Sequence, residues 1–288
     1  MARIEPKEKT IVGVASVAIG MTFFLASIVG TFILRLPLPF TWDQLIVIGV
    51  MIAFLAPAVV EYLDLRWQRG IDNNIPRLLR EIAESGRTGL TLIRAIEVSA
   101  DRDYGPLTPE LKRLLAKISW GATLEEAMKS FAGRTRTKLS QRVSTLIIEV
   151  SRSGGDTQEI MEQVNKHVNE LQTIDKERYA QMRPYAAVVY IAFGVFLFAD
   201  IMLIRTFFEP MAAIQKQAAS SGGTGIFGGA GLNIAALNTT LFHATVIEGI
   251  LGGLIAGKMS EAHLGAGLKH ALALLLITFV SFLLFVWS

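Results

Sequence analysis

Residues 11–34 read IVGVASVAIGMTFFLASIVGTFIL, a run of 24 positions without a charge. A hydrocarbon core of ~30 Å needs about 20 helical residues at ~1.5 Å each, so this run is predicted to span a bilayer. It is too long for a signal-peptide core, and no small-residue cleavage motif follows it. Four more apolar runs lie at 44–60, 184–208, 235–257 and 268–287. Hydrophobic residues make up 51% of the chain and charged ones 18%, with the apolar residues gathered in blocks. The fold class this implies is all-α: a polytopic membrane protein with five transmembrane helices.

Residues 64–183 have a different character. They hold 20 of the 28 Lys and Arg and 17 of the 25 Asp and Glu, and none of their stretches is apolar enough to span. Three domains are expected: a transmembrane hairpin at 1–63, a cytosolic bundle of about six helices at 64–183, and three spans at 184–288 with a Gly/Ser-rich external loop (AASSGGTGIFGGAG, 218–231). Basic residues orient the spans. Arg3, Lys7 and Lys9, the 64–183 block, and Lys258 with Lys269 fall on one side, whereas the opposite loops carry only Arg35 and Lys216. The expected location is the cell membrane, with the N-terminus cytoplasmic and the C-terminus external.

Caps and turns punctuate the polar block. A helix over 76–85 should stop at Gly86 and Gly89. Leu90, Ile93, Ile96 and Val98 form the expected stripe of the next helix. Thr108-Pro109-Glu110 looks like an N-cap followed by a first turn, and that helix should end at Gly121. Thr123-Leu124-Glu125-Glu126 is a capping box. A helix over 136–151 should bury Leu139, Val143, Leu146, Ile147 and Val150, ahead of a sharp turn at Gly154 and Gly155 capped by Asp156. From 157 to 208 only Pro184 and Gly194 interrupt the helical pattern, so one long helix should join bundle to membrane. Pro184 should kink that helix, which would then act as tether or lever.

Several chemistries are excluded. With no cysteine there is no disulfide, thiol catalysis or Cys-based metal site. A formal charge of +3 is too small to imply nucleic acid. The four histidines lack zinc-ligand spacing. Residues 252–259 (GGLIAGKM) approach a phosphate-binding loop, but Met259 replaces the Mg²⁺-binding hydroxyl and no strand precedes them. No cofactor, no metal and no enzymatic activity are expected.

Within the spans, Gly249, Gly253 and Gly257 form a ridge for close helix packing. Glu248 lies beside it with His243 five residues earlier, and an ionisable group in a span is a functional candidate by default. No second acid is evident to complete a relay, and Asp200 and Arg205 are placed to pair with each other or to snorkel. Arg134, Arg136, Lys138 and Arg142 form a basic run with no acid between them. Such runs are usually solvated, and the sharper reading is docking to an acidic protein surface or to membrane lipids.

The order of three motifs is recognisable: GRTGLTLIRAI at 86–96, WGATLEEAM at 120–128 and EVSRSGGD at 149–156. Together they resemble the type II secretion F-domain, found in inner-membrane platform proteins of type IV pili, type II secretion and the archaellum. The tail, from Phe242-His243-Ala244 to Lys269-His270, is similar to the archaeal and tight-adherence branch. The resemblance covers about residues 70–285. It implies a non-enzymatic platform that binds a cytosolic hexameric secretion ATPase and passes its work to pilin-like subunits, with Arg134, Arg136, Lys138 and Arg142 as docking candidates. Many platform proteins carry two such domains and this chain has one, so a homodimer or a sister platform subunit is expected. The rival reading is a secondary transporter or channel with a regulatory cytosolic domain. Transporters usually show an internal repeat of membrane segments, which this chain lacks.

Overall fold

The computed structural model describes residues 6–30, 42–153, 157–220 and 233–287. These residues are helical throughout apart from short turns. The helices are α1 (Pro6–Ile28), α2 (Trp42–Arg87), α3 (Leu92–Ala100), α4 (Leu107–Ser119), α5 (Leu124–Thr135), α6 (Lys138–Ser153), α7 (Thr157–Leu203), α8 (Glu209–Ser220), α9 (Ile234–Glu261) and α10 (Gly267–Phe285). The turn expected at Gly154 and Gly155, with its cap Asp156, lies outside the described residues, as do positions 221–231 of the Gly/Ser-rich loop. Five helices are long and apolar enough to cross a membrane: α1, α2, α7, α9 and α10. The chain is therefore a multi-pass membrane protein.

Two compact units make up the structure: Leu63–Arg178, and Glu5–Tyr62 with Tyr179–Ser288. In the first, α2 contributes Trp67, Ile71, Ile75, Leu78 and Ile82, spaced three or four apart, to a continuous core. Each such side chain stabilises by about 1.5–3 kcal/mol on leaving water, which outweighs the ~1 kcal/mol cost of a glycine within the same helix. That glycine, Gly70, has a packing reason. A Cβ there would lie 2.7 Å from Pro106 Cγ, so its absence lets the start of α4 rest on α2.

Three local expectations are corrected. The helix expected over 76–85 is the end of α2, which passes through Pro57 and Pro76 without stopping. It ends where the glycines place its stop: Gly89 takes φ +79°, its N–H bonds Gly86 O, and the Leu90 N–H reaches Ser85 O. That is the paired pattern of a left-handed helix ending. On α3 the buried face is Leu92, Ala95, Ile96 and Ser99, whereas Leu90, Ile93 and Val98 face outwards. Counting hydrophobic letters misplaced the stripe because small residues, Ala95 and Ser99, form half of the real one. Thr108 is not an N-cap. The helix begins at Leu107, and the Thr108 hydroxyl instead accepts the Tyr104 N–H at 2.7 Å. The capping box at Thr123 forms as the spacing predicts, with Glu126 closing it.

In the second unit, small residues set how near the helices come. A Cβ on Gly20 of α1 would lie 2.7 Å from Ala53 Cβ of α2. On α9, a Cβ at Gly253 would fall 2.2 Å from the Ala271 backbone and one at Gly257 2.1 Å from Gly267 Cα, so α9 and α10 touch backbone to backbone. Phe242, Leu274, Leu275 and Phe282 fill the space beside them. Val17, Ile191, Val195 and Leu251 point outwards, each more than half exposed, as a surface solvated by hydrocarbon requires. α7 stays helical through Pro184 and passes into a π turn at Ile204–Phe208.

Candidate functional site

The bundle of the first unit has two distinct ends. Where α2 enters and α7 leaves, Arg136 lies 3.9 Å from Asp64, Gly70 abuts Pro106, and Gln172 reaches Asp72. At the opposite end Arg87 pairs with Glu162 and Arg152 with Glu125. The turns before α3 and between α4 and α5 also close there.

Gln172 explains how α2 tolerates a proline. Pro76 has no N–H to bond the carbonyl four residues back, that of Asp72. The Gln172 side chain on α7 donates to that carbonyl at 2.6 Å and ties together the two helices that continue towards the membrane. The Asp72 carboxyl lies beside the same junction. Burial pushes it up from 3.8 to about 6; a hydrogen bond from Thr137 opposes the rise and the negative charge of Asp175 adds to it. Its Oδ1 has no hydrogen-bond partner among the described residues. The sequence signal for this junction was a proline inside a helical pattern, which alone does not name its partner a hundred residues away.

The fold divides the basic run. Arg134 donates its Nε to Glu110 at 2.7 Å, and Glu110, 2% exposed, also holds Arg113 at 2.6 Å. Arg136 caps α5 in the left-handed region at φ 57°, with Asp64 nearby. Lys138 and Arg142 sit on the exposed face of α6. The acids that partner Arg134 and Arg136 come from α4 and α2, too far along the chain for a local charge count to find.

In the membrane unit, Asp200 of α7 accepts the Thr245 hydroxyl of α9 at 2.7 Å. Thr245 lies three residues before Glu248, so a second acid does stand within about one helical turn of Glu248. Arg205 does not pair with Asp200: it donates to the Phe285 carbonyl at the end of α10 and lies 3.7 Å from Glu209. His243 approaches Asp43 of α2 at 3.0 Å. At the end of this unit where α2 departs, Lys9 pairs with Glu61 at 2.8 Å, and Gly265 in the α9–α10 turn sits so close that a Cβ would meet the Glu61 side chain at 2.5 Å. No group of three or more His, Asp or Glu residues that could hold a metal occurs among the described residues.

The comparisons agree with this anatomy. Residues 78–204 match the family model of type II secretion system (T2SS), protein F. An uncharacterized protein of Methanocaldococcus jannaschii is 23% identical over 267 residues, 92% of this chain and 42% of that protein. Flagella accessory protein J of the same organism is 21% identical over 215 residues, 70% of this chain and 36% of that protein. The chain thus spans less than half the length of either relative, and no solved structure matches it. The matched segment begins in the α2 portion of the bundle and ends just past α7, so the likeness to type II secretion system protein F lies in the bundle and the helix that leaves it.

Proposed function

We propose that the chain is a non-enzymatic inner-membrane platform of a type IV pilus-like machine, coupling a cytosolic hexameric secretion ATPase to pilin-like subunits. The observation that carries this reading is the extent of the family match. It covers the helical bundle from residue 78 onwards and the whole of α7 as one segment, and α7 continues from polar bundle to apolar span. The distribution of Lys and Arg supports a cytoplasmic bundle, a cytoplasmic N-terminus and an external C-terminus. Lys138 and Arg142 are the cations of the basic run free to meet an acidic protein surface or lipid head groups, since Arg134 and Arg136 serve the fold. A second copy of the chain or a sister subunit is its partner within the platform.

The test is co-purification of the full chain in detergent with a secretion ATPase of the same organism, together with filament assembly in a deletion strain. Retained binding and restored filaments on complementation support the reading; no binding and normal filaments in the deletion overturn it. The Asp200–Thr245 contact beside Glu248 is the one observation favouring a transporter. Solute flux in liposomes that Glu248→Gln abolishes would establish that rival.

A further inference from the structure

At the end of the bundle opposite the α2 entry, Trp120 is 91% exposed, and Leu90 and Ile93 at the start of α3 are 36% and 43% exposed. α3 and α4 are packed neighbours running in opposite directions, so all three side chains belong to the same end. The indole is held on a rigid turn. The Gly121 N–H bonds Ile118 O, the Ala122 N–H bonds Lys117 O, and Gly121 takes φ +92°, the same paired ending as at Gly89. The capping box at Thr123 follows at once and fixes the far side of the turn. A fully exposed tryptophan on an ordered turn loses little freedom when covered, which is the property of a binding hot spot.

The charges around it select the partner. Lys112 and Lys117 lie on the face of α4 that leads to Trp120, Arg113 between them pairs with Glu110, and no acid occurs from 111 to 124. The nearest acids are engaged: Glu125 by Lys129 and Arg152, Glu126 by the capping box. The complement is an acidic surface with an apolar pocket.

We infer that Trp120, with Leu90 and Ile93, is the docking point for the cytosolic ATPase, which engages it through an acidic face with a pocket for the indole; this rests on the function proposed above. The experiment measures binding of a purified secretion ATPase of the same organism to the full chain in zwitterionic nanodiscs. Trp120 packs against nothing that its removal would collapse, so Trp120→Ala folds and should weaken binding about tenfold or more. Lys112→Glu with Lys117→Glu should weaken binding further and reduce its salt dependence. Equal affinity of Trp120→Ala and the parent overturns this docking surface and leaves the proposed function standing. A parent that does not bind the ATPase overturns both. Unchanged ATPase affinity with loss of self-association by light scattering, or of binding to anionic vesicles, reassigns the surface to a second copy or to lipid and overturns the inference.

Discussion

Gln172 donates its side-chain amide to the backbone carbonyl of Asp72, the acceptor left vacant in α2 by Pro76. One hydrogen bond thereby repairs a helix defect and joins the two helices that leave the bundle. Gln172→Leu should destabilise the full chain in detergent by about 1–3 kcal/mol, the cost of leaving a buried carbonyl without a donor. Pro76→Ala restores a donor within α2, so the double variant should recover most of that loss in a thermal-unfolding cycle. Additive losses would show that Gln172 matters for another reason.

Asp72 should make stability depend on pH in an unusual direction. Its folded carboxyl titrates at about 6, above the ordinary 3.8, so ionisation costs folding energy. The penalty is absent below about pH 4, grows as pH rises towards 6, and is fully present above it. Asp72→Asn should therefore stabilise the protein at pH 7.5 by about 2 kcal/mol and have little effect at pH 4. Denaturation midpoints at the two pH values read this directly.

Arg134 and Arg142 separate a structural cation from a surface one. Arg134→Ala removes one of two partners from the buried Glu110 carboxylate and should cost about 3 kcal/mol, which Glu110→Gln in the same chain should partly offset. Arg142→Ala, on the exposed face of α6, should change stability by less than about 0.5 kcal/mol. Both are measured by unfolding in detergent.

The glycine ridge on α9 is graded along its length. Gly249→Ala meets only ordinary contacts at 3.5 Å or more, whereas any side chain at Gly253 or Gly257 strikes the backbone of α10. Gly253→Leu should abolish recovery of a monodisperse protein in size-exclusion chromatography. Gly249→Ala should behave as the parent, and so should Gly13→Ala, which has open space around it.

The membrane spans were legible because a long uncharged run has few other solutions in water. Caps and stops at Gly89, Gly121 and Thr123 were legible because each is decided within four or five residues. What the sequence left hidden depends on partners distant in the chain. Glu110 with Arg134, Gln172 with Asp72 and Asp200 with Thr245 are separated by 24, 100 and 45 residues. The α3 stripe is hidden for a related reason: Ala95 and Ser99 are buried by what packs on them, not by their own hydrophobicity. Trp120 directly precedes the helix stop at Gly121, and nothing in its neighbourhood says that an indole will be left in solvent.

Side-chain accessibility in intact cells tests the proposed topology most directly, and a chain without native cysteine makes it clean. Ala116→Cys on the exposed face of α4 should react with a membrane-impermeant maleimide only after the membrane is broken, whereas Ser221→Cys should react in intact cells. Labelling of Ala116→Cys in intact cells would place the bundle outside, beyond reach of any cytosolic motor, and would contradict the proposal.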